Sequence, residues 1–208
     1  MPLGLLDRQA GPPAGTGLMV SGVPIGDSAF VRRRLDNLAA DAVAKVRQVV
    51  GKFGARHAQT AWTALRYTLS PLLAFQAQCS YPTDMARPCM QMAVALAEGA
   101  AAATGVRGVA TDEYAVRRLF LPARCKGGGL PAIGQDWYRA AAFLGSVQMA
   151  LPALVDGGFM PFLEPSLGTD MTQPDRGLRH VLRRGGRLAA EVRAAWAACQ
   201  QAYRAADA

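Results

Sequence analysis

Hydrophobic positions recur at helical spacing along most of this chain, and the exception lies near its start. In Gly17–Arg34 (GLMVSGVPIGDSAFVRRR), Leu18–Val20 and Val23–Ile25 read as a short extended segment interrupted by Gly22 and Pro24. Asp27 or Ser28 then caps a long amphipathic helix. A strand without neighbours leaves its ladder groups unpaired. The local partner on offer is Leu3–Leu6, so the pattern predicts either a small hairpin or a strand whose sheet lies elsewhere, and the second is favoured.

The first predicted helix covers about Ser28–Val50, with Val31, Leu35, Leu38, Ala42, Val46 and Val49 at spacings of 4, 3, 4, 4 and 3 on one face. Arg34, Asp41, Lys45 and Lys52 follow one flank, Asp41 and Lys45 at ion-pair spacing, while Arg33 and Arg47 point nearly opposite the core. Gly51 and Gly54 make a short link to a second helix, about His57–Leu69, which favours an antiparallel pair. Ala58, Trp62, Leu65 and Leu69 form its stripe, with Trp62 a core anchor. Pro71 clashes with the Tyr67 carbonyl, so a kink or restart is expected there.

A third helix begins near Thr83 or Asp84, with Pro88 in or near its first turn, and ends before Gly105. Thr111 is expected to cap a short helix, Asp112–Phe120, whose early acids suit the helix dipole. Leu121–Leu130 (LPARCKGGGL) is irregular because of its three consecutive glycines, and a buried helix follows over Gln135–Leu151. Asp156–Asp175 reads as a linker. Leu178–Leu182, a Gly185–Gly186 break and a helix over Arg187–Ala205, with Leu188, Val192, Trp196, Cys199 and Tyr203 on one face, close the chain.

The expected architecture is therefore mainly α: a thumb-like helical bundle with one short N-terminal strand or hairpin and a basic C-terminal helix. Its divisions are a flexible segment over 1–16, a strand plus helix pair over 17–82, a second helical layer over 83–155, a linker over 156–176 and a basic helical end over 177–208.

Composition narrows the function classes. No secretory h-region precedes the body, so an intracellular location, nuclear or cytoplasmic, is expected. The longest uncharged apolar run, Ala140–Val155, has 16 residues and is too short to span a bilayer. Cys79, Cys89, Cys125 and Cys199 have no metal-ligand spacing and read as free thiols, and His57 and His180 belong to no metal or triad pattern. The net charge is +8, and of 23 basic residues only Lys45, Lys52 and Lys126 are lysines. Such an arginine excess suits phosphate, although a GC-rich coding sequence also inflates arginine.

Catalytic patterns are absent from the sequence. Gly15-Thr16-Gly17 lacks the Lys-Ser/Thr of a phosphate loop, and Ser21, Ser80 and Ser146 sit in no nucleophile elbow. Asp112–Glu113 is an adjacent acidic pair placed where capping acids belong. No catalytic, cofactor or metal residues are assigned.

Three runs taken together carry a family likeness: GLMVSGVPIGDSAFV (17–31), TAWTALRYTLSPLLAFQAQCSYP (60–82) and LPARCKGGGLPAIGQDWYRAAAFLGSVQMALPALVD (121–156). In order and spacing they resemble the C-terminal part of non-LTR retrotransposon reverse transcriptases, over Gly17–Phe162, about 70% of the chain. In that family a short strand closes the palm near the primer grip, a helical thumb and connecting region follow, and an "LP…GGLGL"-type turn precedes an Ala-rich helix. The resemblance casts Ser21–Gly26 as the strand end, Leu69–Pro82 as the end of the thumb and Leu121–Leu130 as the downstream turn.

The family's polymerase needs palm carboxylates holding two Mg²⁺ ions about 4 Å apart, and the aromatic-Ala-Asp-Asp turn that supplies them is missing here. The expectation is a catalytically inactive fragment that keeps non-specific affinity for RNA or an RNA–DNA duplex through phosphate contacts. Candidate contacts are Arg32, Arg33, Arg34, Lys45, Lys52 and Arg66, with Arg183, Arg184 and Arg187 as a separate patch. The alternatives are a helical protein-interaction module, with a partner or a second copy at Leu18–Ile25, or an inert remnant.

Overall fold

The expected lone strand pairs with its own continuation. In the computed structural model, which describes residues 15–106, 108–156 and 186–206, β1 (Gly17–Val20) and β2 (Val23–Gly26) form an antiparallel hairpin with Leu18 opposite Ile25 and Val20 opposite Val23. Ser21 and Gly22 both have positive φ, 49° and 84°, as a type I′ turn requires. Gly22 is thus the turn itself and not an interruption. Pro24 faces Met19, a position that in a two-residue hairpin directs its backbone away from the ladder, so its missing N–H breaks no pairing.

Helix α1 (Ser28–Phe53) starts at Asp27, whose Oδ1 accepts the Phe30 N–H at 2.8 Å. The other oxygen accepts the Gly15 and Thr16 N–H groups at 2.5 and 2.7 Å, so one carboxylate fastens the start of the hairpin to the helix. The buried face of α1 is Leu35, Ala39, Ala42, Val46 and Val50, with Val31, Leu38 and Val49 packed beside it, close to the expected stripe.

The second helical stretch runs over a longer span than the spacing suggests. A 3₁₀ turn (54–57) leads to α2 (Ala58–Ala64), a π turn (Leu65–Leu69), a second 3₁₀ turn (Ser70–Leu73) and α3 (Ala74–Cys79). The π turn is how the chain absorbs Pro71. In that register the Ser70 N–H bonds to the Leu65 carbonyl, and Pro71 has no N–H to offer Arg66. The Ser70 hydroxyl donates to the Arg66 carbonyl instead, at 2.6 Å.

Helix α4 (Pro82–Thr104) ends at Gly105, which adopts the left-handed conformation with φ 70°. Pro88 lies in its second turn, one turn later than expected. Arg32–Asp84, Asp36–Arg87 and Arg47–Glu98 advance together along α1 and α4, so these two helices run parallel, with the α2–α3 stretch returning between them. Asp41 and Lys45 are both exposed and form no ion pair; the acids that engage α1 come from α4. Met85, Cys89, Met92, Leu96, Ala100 and Ala103 bury one side of α4, and one continuous core extends from Leu35 to Ile133.

Helix α5 (Glu113–Leu119) is capped by Asp112, not Thr111: the Asp112 carboxylate accepts the Ala115 N–H at 2.9 Å. The glycine-rich segment folds back on α5, with the Gly128 N–H on the Arg118 carbonyl (2.9 Å) and the Leu130 N–H on that of Leu119 (3.1 Å). Trp62 packs against Gly128 as a half-buried anchor.

Helix α6 (Asp136–Asp156) and α7 (Gly186–Ala206) form a smaller cluster through Ala140, Phe143, Leu144, Val192 and Ala195. The expected α7 face is displaced toward small residues. Val192 is buried as foreseen, whereas Trp196 and Tyr203 are exposed and Ala189 and Ala195 are buried in their place. No helix among the described residues is long and apolar enough to cross a membrane. The expected linker after Asp156, which itself ends α6, residues 178–182 and all but the last two residues of the N-terminal segment lie outside the described residues.

Candidate nucleic-acid interface

The arginines and lysines of α1 divide by flank. On the side facing α4, Arg32 and Arg47 pair with acids of that helix, Asp84 at 2.9 Å and Glu98 at 3.9 Å. On the opposite flank Arg34, Lys45 and Lys52 are exposed and have no acidic partner among the described residues, and Arg33 is likewise exposed on the outer face. Arg34 and Lys52 lie over the rings of Phe30 and Phe53, at 5.5 and 5.9 Å, which holds their stems along the helix. At a rise of about 1.5 Å per residue, the stripe from Arg34 to Lys52 extends about 27 Å, so it reaches several phosphates of one strand.

Arg32 and Arg187 serve a different purpose. Asp84 is buried, its side chain 1% exposed, with Arg32 on one oxygen and Arg187 on the other. Arg187 also donates to the Ser28 hydroxyl at 2.9 Å and lies 4.4 Å over the Tyr81 ring. Glu191, also buried, accepts the Thr83 hydroxyl and, at 3.4 Å, the Thr83 N–H. Helix α4 has no side-chain cap of its own at Tyr81, so Glu191 of α7 supplies one from across the molecule. Two guanidinium groups and two carboxylates thus balance at the junction of α1, α4 and α7. This arrangement ties three helices together and gives both arginines a structural partner, although the Arg32 side chain stays 63% exposed.

The expected separate patch of Arg183, Arg184 and Arg187 is accordingly divided. Arg187 belongs to the junction with Arg32, and Arg183 and Arg184 lie outside the described residues. Arg66 stands apart from the α1 stripe, half-buried on the π turn with its guanidinium 4.9 Å from the Tyr67 ring.

Among the described residues no three His, Cys, Asp or Glu side chains come together to hold a metal ion. The perturbed thiols have a structural cause: burial pushes Cys89 up to about 12, opposed by the Arg139 charge, and raises Cys79 and Cys199 in the same direction. Asp84 and Glu191 were not singled out by sequence reasoning as a buried junction. Their signal was faint, because an acid two residues after a helix-starting proline reads as a capping residue. No family model, curated protein or solved structure matches this chain.

Proposed function

We propose that the chain is a helical module of reverse-transcriptase thumb ancestry that grips the sugar–phosphate backbone of an RNA or RNA–DNA duplex without polymerase chemistry of its own. The supporting observation is the sorting of charge on α1, where Arg34, Lys45 and Lys52 are exposed with no acidic partner among the described residues while Arg32 and Arg47 are engaged by α4. Backbone contacts of that kind position a duplex and carry no sequence preference. The sequence itself has no adjacent Asp-Asp pair to hold catalytic Mg²⁺. The ancestry rests on the three matching runs in the sequence.

The test is an RNA–DNA duplex titrated against the wild type and an Arg34→Ala/Lys45→Ala/Lys52→Ala variant. All three side chains are exposed, so the variant keeps the fold. Weaker binding with a log–log salt slope shallower by about 2 to 3 supports the assignment. An unchanged isotherm rejects it.

The hairpin supports a second reading as a protein-binding face: Leu18 and Ile25 are 58% and 52% exposed, and Met19 and Val20 are exposed beside them. Association through that face would raise the sedimenting mass with concentration and be insensitive to salt.

A further inference from the structure

The π turn builds a recess that the α1 stripe does not use. Arg66, Tyr67, Pro71, Gly129, Pro131 and Tyr138 surround a cavity of about 290 Å³. A π turn has more residues per turn than an α turn, so consecutive side chains splay less. Arg66 therefore swings over its neighbour, its Cζ 4.9 Å from the Tyr67 centroid. From the other side the guanidinium rests on Gly129, where a Cβ would stand only 2.9 Å from the Arg66 Cζ. Arg66 has no carboxylate partner among the described residues, and Tyr67 is 64% exposed.

We infer that the mouth of this recess takes one unstacked nucleobase of a single-stranded RNA, the ring stacking on the exposed side of Tyr67 that Arg66 does not cover while Arg66 pairs with the adjoining phosphate. The inference rests on the nucleic-acid reading above and adds a single-strand site to its duplex flank. An exposed aromatic ring beside a fixed, unpaired cation is the combination that single-strand binders use. The cavity lies just below the roughly 300–1,000 Å³ of drug-sized ligand sites and suits a single ring system. Few groups here can read base identity, since the Gly129 N–H is already bonded to the Leu121 carbonyl at 2.8 Å and Ser70 to that of Arg66, which leaves the Tyr138 hydroxyl in the lining. Binding is accordingly tolerant of sequence.

A short single-stranded RNA carrying 2-aminopurine tests this directly. Wild type quenches the probe by stacking, and Tyr67→Ala weakens binding about 5-fold or more and removes the quench, whereas Tyr67→Phe keeps both. The Arg34→Ala/Lys45→Ala/Lys52→Ala variant keeps the quench at saturation, which separates the recess from the duplex flank. Equal affinity and equal quench in wild type and Tyr67→Ala, or no binding of the short strand, overturns the inference. A wild type that binds and quenches this probe but shows no affinity for an RNA–DNA duplex would reject the flank and still support the recess.

Discussion

Asp84, in the first turn of α4, and Arg187, at the start of α7, are joined by a salt bridge that spans 103 residues of sequence. The second oxygen of the same carboxylate is held by Arg32 of α1 at 2.9 Å. Removing the carboxylate leaves two guanidinium groups facing each other across a buried position. Because the Arg32 and Arg187 side chains are 63% and 39% exposed, the cost falls below that of a fully buried pair. Asp84→Ala is expected to lower stability by about 2–3 kcal/mol, and Arg32→Ala by less than about 1 kcal/mol. Urea denaturation of the two variants checks the order, and equal losses would contradict it.

Gly99 marks a close approach of side chains to α4 in the main core. A Cβ there stands 3.0 Å from Leu65 Cδ2, 3.2 Å from Val50 Cγ2 and 3.3 Å from Val46 Cγ1. Gly99→Val is expected to cost about 1–3 kcal/mol through overpacking. Gly99→Ala is near neutral, because a helix-propensity gain of about 1 kcal/mol offsets the crowding. Thermal unfolding of both variants distinguishes this from a position with spare room, where both substitutions would stabilise.

The Asp27 clamp predicts an acid-sensitive hairpin. The Phe30 N–H is the chief cause that holds this carboxyl below its ordinary value of 3.8, desolvation opposes it, and the Gly15 and Thr16 N–H groups assist. A depressed carboxyl contributes stability above 3.8 that disappears as pH falls through its lower folded value. The stability gap between wild type and Asp27→Ala should therefore be widest near neutrality and narrow below pH 3.8. A gap that widens with acid would contradict the clamp.

Thiol chemistry should follow burial. Cys125 is exposed and Cys89 buried, with the Cys89 thiol pushed up to about 12. Alkylation of the native protein at mildly alkaline pH is expected to modify Cys125 first and Cys89 only on unfolding. The unfolded thiol titrates near 9.0, so this group also lowers stability as pH climbs from 9.0 toward 12. Mass spectrometry of partially labelled protein reads the order.

The main helices were legible because their core stripes are local. Leu35, Ala42 and Val46 lie where the 3.6-residue period puts them. The hairpin was harder to read: Gly22 and Pro24 are both strand breakers in general, and only the pairing reveals one as the turn and the other as a buried residue at a position that needs no ladder N–H. The α7 face was misjudged in its flanks because aromatic residues dominate a hydrophobicity pattern, while the cluster with α6 is made by Val192 and Ala195. The junction arginines were invisible as such. Arg32 and Asp84 are 52 positions apart and Arg187 and Asp84 are 103 apart, and nothing local distinguishes a paired arginine from a free one.

The most direct test of the nucleic-acid account is the affinity of the purified protein for an RNA–DNA duplex between about 50 and 200 mM salt, compared with a helical control of equal net charge. A steep fall in affinity, from a tighter complex than the control forms, is the predicted result. Binding no stronger than the control, with the same slope, would contradict the account and leave the +8 charge without a role in duplex binding.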